Sequence, residues 1–268
     1  MDKKVILITG ATSGLGKAIA EQLLQDGHIV YGTSRNKMES TNSLKMLQMD
    51  ITQRESIRNA ISAIFTAESR IDVVINNAGM GIGGAAELAT EQEIDLQMQA
   101  NFYSVVNVCS EVLPIFRFAR NGLIINVSSI GGVFALPYQG LYSASKFAVE
   151  GYSEALSLET KQFGIRVVVL EPGDFNTGFT KNRVISQATI NSEYSQSFHK
   201  VLKNIEKDET NGGKPQYLAK KTSKIINKKH PKFRYIITPS VVQKMSIFAS
   251  CILSGRAFQW IIRLFYGV

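Results

Sequence analysis

The sequence predicts an α/β fold in which helices flank a doubly wound, seven-stranded and mostly parallel sheet. Short apolar, β-branched runs recur seven times, and helical patterns separate the first six runs. The intervening segments are long enough for the crossover helices that parallel neighbours require. The 268 residues are 44% hydrophobic and only 19% charged, so the chain can bury a large core.

The predicted strands come in a regular rhythm that is broken once. They are Val5–Thr9, Ile29–Ser34, Leu44–Asp50, Ile71–Asn76, Leu123–Ser128, Arg166–Glu171 and Phe233–Thr238. The exception to the rhythm is segment 174–215, which is polar and has no strand pattern, and such long excursions are more often functional than filler. We therefore expect one domain over residues 1–240, with 174–215 as an insertion, followed by an apolar helical tail over 241–268.

The charge of the chain is concentrated near its C-terminus. Residues 200–240 contain 11 Lys/Arg against 3 Asp/Glu, while residues 241–268 contain three basic residues and no acidic one. Nucleic-acid binding requires a reading motif or interleaved aromatic residues, and neither accompanies this segment, so no nucleic-acid partner is expected. We interpret it as a solvated, lysine-rich helix between Tyr217 and Lys229, with an acidic membrane surface as the alternative.

The positions of the cysteines and histidines and the lengths of the apolar segments argue against disulfide-rich, metal-binding, secreted and membrane-spanning proteins. Cys109, Cys251 and the three histidines are scattered, so neither a disulfide framework nor a metal site is predicted. The N-terminus offers only Val5–Thr9 before a glycine, whereas a secretory signal needs about 7–15 apolar residues. The uncharged stretch Met245–Gly255 has 11 residues, and a membrane span needs about 20. We expect a cytoplasmic protein without a transmembrane helix.

A glycine-rich turn joins the first predicted strand to the first helix. It reads Gly10-Ala-Thr-Ser-Gly14-Leu-Gly16 and is followed at once by a helical pattern with an apolar stripe. Glycine lets the backbone approach a ligand, and the free N–H groups and dipole of a helix N-terminus favour a phosphate. Because the turn lies within a βαβ unit, we interpret it as a dinucleotide-phosphate site rather than an ordinary tight turn.

Several motifs in order resemble the short-chain dehydrogenase/reductase family over roughly the first 180 residues. They are the Gly-x3-Gly-x-Gly turn, the segment Asn76-Asn77-Ala78-Gly79 after the fourth strand, and the pair Tyr142-x3-Lys146. The resemblance implies a Rossmann-type fold and a nicotinamide cofactor. The binding residues it implies are Gly10, Thr12, Ser13, Gly14, Leu15, Gly16, Ser34, Arg35, Asp50, Ile51, Asn77, Ala78, Gly79, Tyr142, Lys146, Pro172, Gly173 and Thr177.

The end of the second strand predicts which nicotinamide cofactor is bound. A carboxylate there binds the free ribose 2′-hydroxyl of NAD, whereas an arginine accommodates the 2′-phosphate of NADP. Residues 27–38 contain no acid but do contain Ser34-Arg35. The sequence therefore predicts NADP(H).

Tyr142 and Lys146 lie one helical turn apart on the same face. A nearby cation lowers the pKa of a phenol from its usual value of about 10, so we expect Tyr142 to exchange a proton with a substrate oxygen. The resemblance implies that Ser129, 13 residues before Tyr142, orients the substrate carbonyl, and that Asn101 holds a proton-relay water to the lysine. Ser128 is given no catalytic role, since a serine ending a strand commonly bonds backbone.

These residues predict an NADP(H)-dependent oxidoreductase acting on a ketone or secondary alcohol, in the reductive direction. The insertion is then a lid whose aromatic residues Phe175, Phe179, Tyr194 and Phe198 close an apolar pocket over a lipophilic substrate, such as a steroid, a retinoid or a long-chain keto lipid. The resemblance also implies a homo-oligomer that pairs through the helix of Tyr142.

Two alternative functions remain. One is an extended-branch nucleotide-sugar epimerase or dehydratase, against which stand the glycine spacing and the roughly 95 residues after Gly173. The other is a catalytically silent NADP-binding regulator, against which stands the retention of the catalytic residues. The tail also has two interpretations: a packed cap over the pocket or a subunit contact, and an amphipathic element in peripheral contact with a membrane.

Overall fold

The computed structural model describes residues 2–40 and 44–268. Its strands are β1 (Val5–Ile8), β2 (Ile29–Ser34), β3 (Leu44–Gln48), β4 (Val73–Asn76), β5 (Ile82–Gly83), β6 (Gly122–Val127), β7 (Ile165–Pro172), β8 (Val184–Ile185) and β9 (Arg234–Ile237). Seven of them form one sheet in the order β3-β2-β1-β4-β6-β7-β9, with every neighbouring pair parallel. The predicted doubly wound, seven-stranded sheet is confirmed.

The central strands are apolar on both faces because helices cover both. In β1, Ile6 and Ile8 pack into the core on one side of the sheet, whereas Val5 and Leu7 pack into the core on the other. Successive side chains of a strand point to opposite faces, so a strand buried on both sides reads as an uninterrupted apolar run. This geometry explains why the strand pattern was legible in the sequence.

Helices occupy the predicted crossovers and the C-terminal part. They are α1 (Gly14–Gln25), α2 (Arg54–Glu68), α3 (Glu91–Met98), a π-helical segment (Gln99–Tyr103), α4 (Ser104–Ala119), α5 (Gly140–Thr160), α6 (Gln187–Ile190), α7 (Ser195–Thr210), α8 (Pro215–Ile226), α9 (Val241–Ile252) and α10 (Gly255–Tyr266). Helices α1 and α8 share one side of the sheet, while α2, α4 and α5 share the other. The fold therefore has three layers.

The lysine-rich segment forms the solvated helix that its pattern predicts. Along α8, Leu218 and Ala219 are buried against the core, whereas Lys220, Lys221 and Lys224 are exposed. The charge run is therefore the outer face of a surface helix.

The insertion 174–215 departs from its prediction, because it contains a short strand. The two residues of β8 pair in parallel with β5, and the Val184 N–H donates to the Gly81 carbonyl at 3.0 Å. A strand of two residues is too short to show a period-2 pattern, so no pattern in the sequence indicates it. The pairing ties the insertion to the loop after β4.

One helix in the described ranges is long and apolar enough to cross a membrane by length and composition alone. It is the continuous run Glu91–Ala119, formed by α3, the π-helical segment and α4. Its side chains Val108, Cys109, Val112 and Phe116 are fully buried in the core. Of its most apolar 18-residue window, 33% is buried, so packing against the sheet explains part of its apolar character.

The tail folds into the predicted helices, and α9 with α10 (241–266) is called the C-terminal hairpin below. In the hairpin, Phe258 and Ile247 are buried, and the Phe258 ring lies 5.2 Å from that of Phe134. Gln243 of α9 also forms hydrogen bonds with Asp174. The Lys200 ammonium also donates to the Gly267 carbonyl at 3.1 Å. Most of the remaining hairpin side chains are exposed, so its attachment is narrow.

Candidate active site

A large cleft lies at the carboxyl ends of the central strands, where doubly wound sheets bind their ligands. Its volume is about 1500 Å³, above the roughly 300–1,000 Å³ of a pocket for one small molecule, so a cofactor and a second ligand fit together. The predicted residues that line it are Gly10, Thr12, Ser13, Gly14, Leu15, Ser34, Arg35, Ile51, Asn77, Ala78, Gly79, Ser129, Tyr142, Lys146, Pro172, Gly173 and Thr177.

The glycine turn has a backbone that only glycine adopts without strain at two positions. Gly10 has φ +68° and Gly14 has φ +54°. Gly16 does not line the cleft. A Cβ at Gly16 would lie 2.2 Å from the Gly10 carbonyl oxygen, so this glycine allows the helix to pack closely under the turn. Gly10 and Gly14 thus permit the backbone conformation of the turn, and Gly16 permits the close packing of the helix.

Helix α1 begins at this turn with unsatisfied donors. Ser13 precedes it in extended conformation and makes no side-chain capping hydrogen bond. The first N–H groups of a helix have no partner within the helix, and its dipole adds positive potential at this end. The uncapped start faces the cleft at Gly14 and Leu15. It fits a phosphate group.

The segment after β4 braces the turn. The Thr9 hydroxyl accepts hydrogen bonds from the backbone N–H groups of Asn77 and Ala78, both at 2.9 Å. The Asn77 amide donates in turn to the carbonyls of Thr9 and Gly10, at 3.0 and 3.1 Å. The predicted motif therefore fixes the ends of β1 and β4 to each other beside the cleft.

At the ends of β2 and β3, the predicted cofactor site is only partly as expected. Arg35 is exposed at the cleft edge and has no ion pair among the described residues. Strand β3 ends at Gln48, two residues before Asp50. The Asp50 carboxylate accepts from the N–H and the hydroxyl of Thr52, at 2.9 and 2.8 Å, and does not line the cleft. Ile51 does line it.

Ser129, Tyr142 and Lys146 are brought together where β6 and α5 meet the cleft. The Lys146 ammonium is buried, donates to the Val127 carbonyl at 2.9 Å, and lies 5.7 Å from the centroid of the Tyr142 ring. The Ser129 hydroxyl accepts from the Gly131 N–H at 3.0 Å, which fixes its position beside the phenol. The three side chains face one space.

The pKa of Tyr142 differs from the expectation. Burial raises it to about 12, outweighing a hydrogen bond with Ser129 that lowers it. The Lys146 ammonium is bonded to a carbonyl rather than to the phenol, and burial lowers its own pKa to about 8, against the opposing effect of Glu150. Tyr142 therefore holds its proton at neutral pH, as a proton donor must.

Asn101 lies in the π-helical segment and not in the cleft wall. Its side-chain oxygen accepts from the Met80 N–H at 2.8 Å, and its amide nitrogen donates to the Met80 carbonyl at 2.9 Å and the Ser145 hydroxyl at 3.0 Å. Every hydrogen of the amide is thus engaged. The side chain ties the loop after β4 to α5, and π-helical bulges frequently occur at functional sites.

The sequence did not reveal a group of carboxylates in the cleft wall, namely Asp174, Asp208 and Glu209. Glu209 forms an ion pair with the buried Arg183, while Asp174 accepts a hydrogen bond from Gln243. Burial raises the pKa of Asp174 to about 7, with Glu209 and Asp208 adding to the effect. Acidic residues on a helix such as α7 usually face solvent, so their pattern carried no signal.

The apolar part of the wall comes from the insertion and the tail. Of the four lid aromatics, Phe175 and Phe179 line the cleft, and the Phe179 ring lies 5.7 Å from that of Tyr142. Phe198 instead packs on Tyr138, and Tyr194 lies beside Glu87. Helix α10 also contributes cleft-lining residues, which are Ile261, Ile262, Phe265 and Tyr266. One face of the tail is therefore a cap, as one interpretation expected.

Known proteins resemble the chain along its length. The family model described as short chain dehydrogenase matches residues 4–188. A "3-ketodihydrosphingosine reductase" of Bacteroides thetaiotaomicron is 52% identical, covering 100% of both chains. The solved structure of a short-chain dehydrogenase from Streptomyces avermitilis is 28% identical, with a TM-score of 0.84 over 98% of both chains.

Two more distant structures share the fold and contain nicotinamide cofactors. A short chain dehydrogenase/reductase from Burkholderia phymatum in complex with NAD is 22% identical, with a TM-score of 0.81 over 97% of this chain and 95% of that one. ElxO with NADP bound is 24% identical, with a TM-score of 0.71 over 88% and 96%. Structural neighbours of this chain thus bind NAD or NADP. The family match, the full-length alignment at 52% identity and the site geometry agree: the chain is an oxidoreductase of the short-chain dehydrogenase/reductase family.

Proposed function

We propose that the protein uses NADPH to reduce the ketone of a long-chain amino lipid of the 3-ketodihydrosphingosine type. The observation that carries this proposal is the cleft itself, in which Tyr142 shares a wall with apolar side chains of α10 and with three carboxylates. A long-chain amino ketone has a group for each of these features. Its carbonyl suits Tyr142, its apolar chain suits α10 and its amine suits the carboxylates. The 52% identity to a relative named for such a reductase supports the same class.

The residues at the strand ends fit a nicotinamide dinucleotide. The uncapped start of α1 suits the pyrophosphate, and Gly173 and Thr177 line the same cleft, with the Thr177 side chain beside Gly14. Bound there, the reduced nicotinamide supplies the hydride that adds to the carbonyl carbon. We assign Lys146 to the nicotinamide ribose, since its buried ammonium has only the Val127 carbonyl as a hydrogen-bond partner among the described residues.

Tyr142 is the proposed proton donor. Because its pKa is raised to about 12, the phenol is protonated at neutral pH and can transfer its proton to the carbonyl oxygen as negative charge develops there. Ser129 donates its hydroxyl hydrogen to the same oxygen. Asn101 has a positioning role, because it holds the loop of Met80 against the helix that carries Tyr142. The products are the secondary alcohol and the oxidised cofactor.

NADP preference is proposed from Arg35. Its guanidinium stands at the cleft edge without an ion pair among residues 2–40 and 44–268, and residues 27–38 contain no acid to repel a 2′-phosphate. Arginine binds phosphate through geometry that matches its planar fork of donors.

The carboxylates support an amine on the substrate. Of the three, only Glu209 has a cationic partner in direct contact in the described part of the chain. Asp174 is half-buried with its pKa raised to about 7, so a neighbouring ammonium would restore its charged form and gain a charge-assisted hydrogen bond.

Retention of the tyrosine, lysine and serine argues against a silent regulator, and full-length similarity to a reductase argues against an epimerase.

We propose in addition that two copies pair through α4 and α5, which expose Phe118, Phe147 and Leu158. Light scattering on the eluting protein should give the mass of a dimer or of a larger even assembly, and a monomer at micromolar concentration would contradict this pairing.

The function is tested with matched ketones and both cofactors. Purified protein is given a long-chain 2-amino-3-ketone, the same ketone without its amine, and a small sugar, while NADPH or NADH absorbance is followed. We expect kcat/KM to be at least tenfold higher for the amino ketone than for the deaminated one, because a hydrogen bond to a charged group contributes about 1.5–3 kcal/mol. Asp174→Asn should remove most of this preference, and Asp95→Asn, an exposed carboxylate on α3, should not. Absence of turnover with all lipid ketones would reject the assignment.

A further inference from the structure

The outer face of the C-terminal hairpin is an apolar surface. Of the 23 large hydrophobic residues that are exposed in the described part of the chain, 11 lie between Val241 and Val268. The stripe on α9 consists of residues that recur every three or four positions and are 64–69% exposed, namely Val241, Met245, Phe248 and Ile252. Trp260 and Leu264 extend it on α10 at 63% and 62%. Exposed apolar patches of this kind mark interaction surfaces.

Positive charge borders this surface. The hairpin carries Lys244, Arg256 and Arg263, all exposed, and residues 241–268 contain no acid. Arg256 and Arg263 lie four positions before and three after Trp260, so they flank it on its own helix face. Long basic side chains can lay their stems on apolar surface while their charges reach polar groups. The surface is thus apolar in its middle and cationic at its margin.

The dimensions of the hairpin decide how it can meet a lipid phase. Each helix has 12 residues and is therefore about 18 Å long, well short of the roughly 30 Å hydrocarbon thickness of a bilayer. Neither helix spans. An amphipathic helix of this composition instead lies in the interface plane, with its apolar face among the first acyl carbons.

The apolar surface continues into the cleft. Ile261 and Phe265 are 39% and 53% exposed and also line the cleft wall. On α9, Val242 and Ser246 line the cleft one position away from the exposed Val241 and Met245. The exposed apolar stripe and the cleft-lining residues are therefore adjacent on the hairpin, so the apolar surface reaches the edge of the cleft.

We propose that the C-terminal hairpin docks this protein on a bilayer containing anionic phospholipids, lying flat in the interface with the cleft mouth toward the lipid. The charge of the hairpin favours an anionic membrane as the partner. Residues 241–268 carry three basic side chains and no acidic one, which complements a negative headgroup layer. A second copy meeting the same face symmetrically would bring Lys244, Arg256 and Arg263 against one another without an acid from that face. The proposal goes beyond the reductase function, since it requires no particular substrate.

Trp260 makes the docking directly observable, because it is the single tryptophan of the chain. Full-length protein is mixed with phosphatidylcholine vesicles that either contain or lack phosphatidylglycerol. We expect the tryptophan emission to shift to the blue and the protein to co-sediment with the anionic vesicles at low salt. Both signals should weaken as salt is added, since salt screens the attraction.

Two substitutions test the surface and leave the probe in place. Phe248→Ser and Leu264→Ser each remove an exposed side chain that is absent from the cleft wall, and each should weaken vesicle partitioning about tenfold. Phe65→Ser on α2, where the ring is 41% exposed and outside the cleft wall, is the matched control and should bind vesicles like the parent. Turnover of a short, water-soluble ketone should be unchanged in Phe248→Ser and Leu264→Ser, which shows that these variants are folded.

Three results would overturn the proposal. The first is a parent protein that neither shifts its emission nor sediments with anionic vesicles at low salt. The second is equal loss of vesicle binding in Phe65→Ser and Phe248→Ser, which would mean that no particular face docks. The third is a concentration-dependent dimer that Phe248→Ser abolishes while the parent ignores vesicles, since the face would then be a protein interface.

Discussion

The body of the protein, from β1 to β7, and its cover, formed by segment 174–215 with the C-terminal hairpin, build the same cleft by different means. The body presents backbone and buried groups: Lys146 in the cleft wall is 6% exposed, and Asn101 behind the wall is 1% exposed. Both are held by hydrogen bonds to neighbouring elements. In the cover, the cleft-lining Phe265 is 53% exposed. Rigid parts thus position the chemistry, and the more loosely packed parts face the substrate.

The two regions also differ in what holds them. The strands of the body are packed between two apolar cores, whereas the hairpin is held by a few contacts, among them those of Phe258 with Phe134 and of Gln243 with Asp174. Segments with few buried apolar contacts open at lower free energy than the core does. We therefore expect the cover to move while the body stays intact, which suits the entry of a long ligand.

The largest effect should come from the body. Tyr142→Phe removes the proton to be donated and leaves the ring against Phe179, so kcat should fall by about 10²–10⁴-fold with cofactor affinity retained. Single-turnover absorbance and a cofactor titration measure the two quantities separately. The control is Tyr103→Phe, because Tyr103 is 48% exposed and lies outside the cleft wall. Near-parental turnover in Tyr142→Phe would remove this tyrosine from the mechanism.

A smaller effect is expected at the cofactor edge of the body. Arg35→Ala should weaken NADPH binding at least tenfold and leave NADH binding almost unchanged, because a charge-assisted bond to the 2′-phosphate contributes about 1.5–3 kcal/mol. Titrations of both cofactors with parent and variant provide the comparison. Lys37→Ala is a suitable control, since Lys37 is a nearby exposed cation that does not border the cleft. Equal affinity of the parent for both cofactors contradicts the assignment.

The difference between the body and the cover also explains which features could be predicted from the sequence. The seven strands and the glycine turn are local patterns with direct physical causes: burial on two faces, and positive φ at Gly10 and Gly14. The pairing of Ser129 with Tyr142 was implied by the family resemblance, and both residues line the cleft. Local chemistry of this kind is readable without coordinates.

Features that depend on distant contacts were not readable. The cleft position of Asp208 and Glu209 depends on how α7 packs across the strand ends, and an amphipathic pattern does not say what its polar face meets. The pKa of Tyr142 depends on the balance between burial and its neighbours, and spacing alone identifies only a neighbour. The amide of Asn101 was expected to hold a water, yet its partner Met80 lies 21 positions away.

A moderate effect is expected where the cover meets the body. Phe258→Ala should loosen the hairpin, because it removes the ring that packs on Phe134, while the cores of the body remain intact. Limited proteolysis should then cut after Ser240 several-fold faster, with little change in the melting temperature. KM for a long-chain ketone should rise several-fold, and that for a short ketone should not. Phe248→Ala, measured without vesicles, is the control, because Phe248 is 69% exposed.

If Phe258→Ala lowers the melting temperature as much as a core truncation does, the cover and the body unfold as one unit. A truncation of a fully buried core side chain such as Ile75→Ala provides that reference. The proposed division between rigid and mobile regions would then be wrong.

The smallest effect is expected from a buried carboxylate of the body, and it should change only the stability of the protein. Glu171, 3% exposed on β7, has its pKa raised to about 7 by burial, with a contribution from Glu150, although Arg234 lies 3.6 Å away and lowers it. The folded protein therefore binds a proton at Glu171 between about pH 4.5 and 7 that the unfolded chain has released. Stability attributable to this group should fall as pH rises through that window and level off above it.

Glu171→Gln cannot lose this proton, so the variant should gain stability relative to the parent as pH rises from 5 to 8. The gain should be about 1–3 kcal/mol, since one pKa unit corresponds to about 1.4 kcal/mol. Urea unfolding at the two pH values measures it, with the exposed Glu159→Gln at the end of α5 as control. Turnover should not change, because Glu171 does not line the cleft. A parent and variant with parallel pH profiles would show that Arg234 and its neighbours already compensate the buried charge, and that the body tolerates it at no cost.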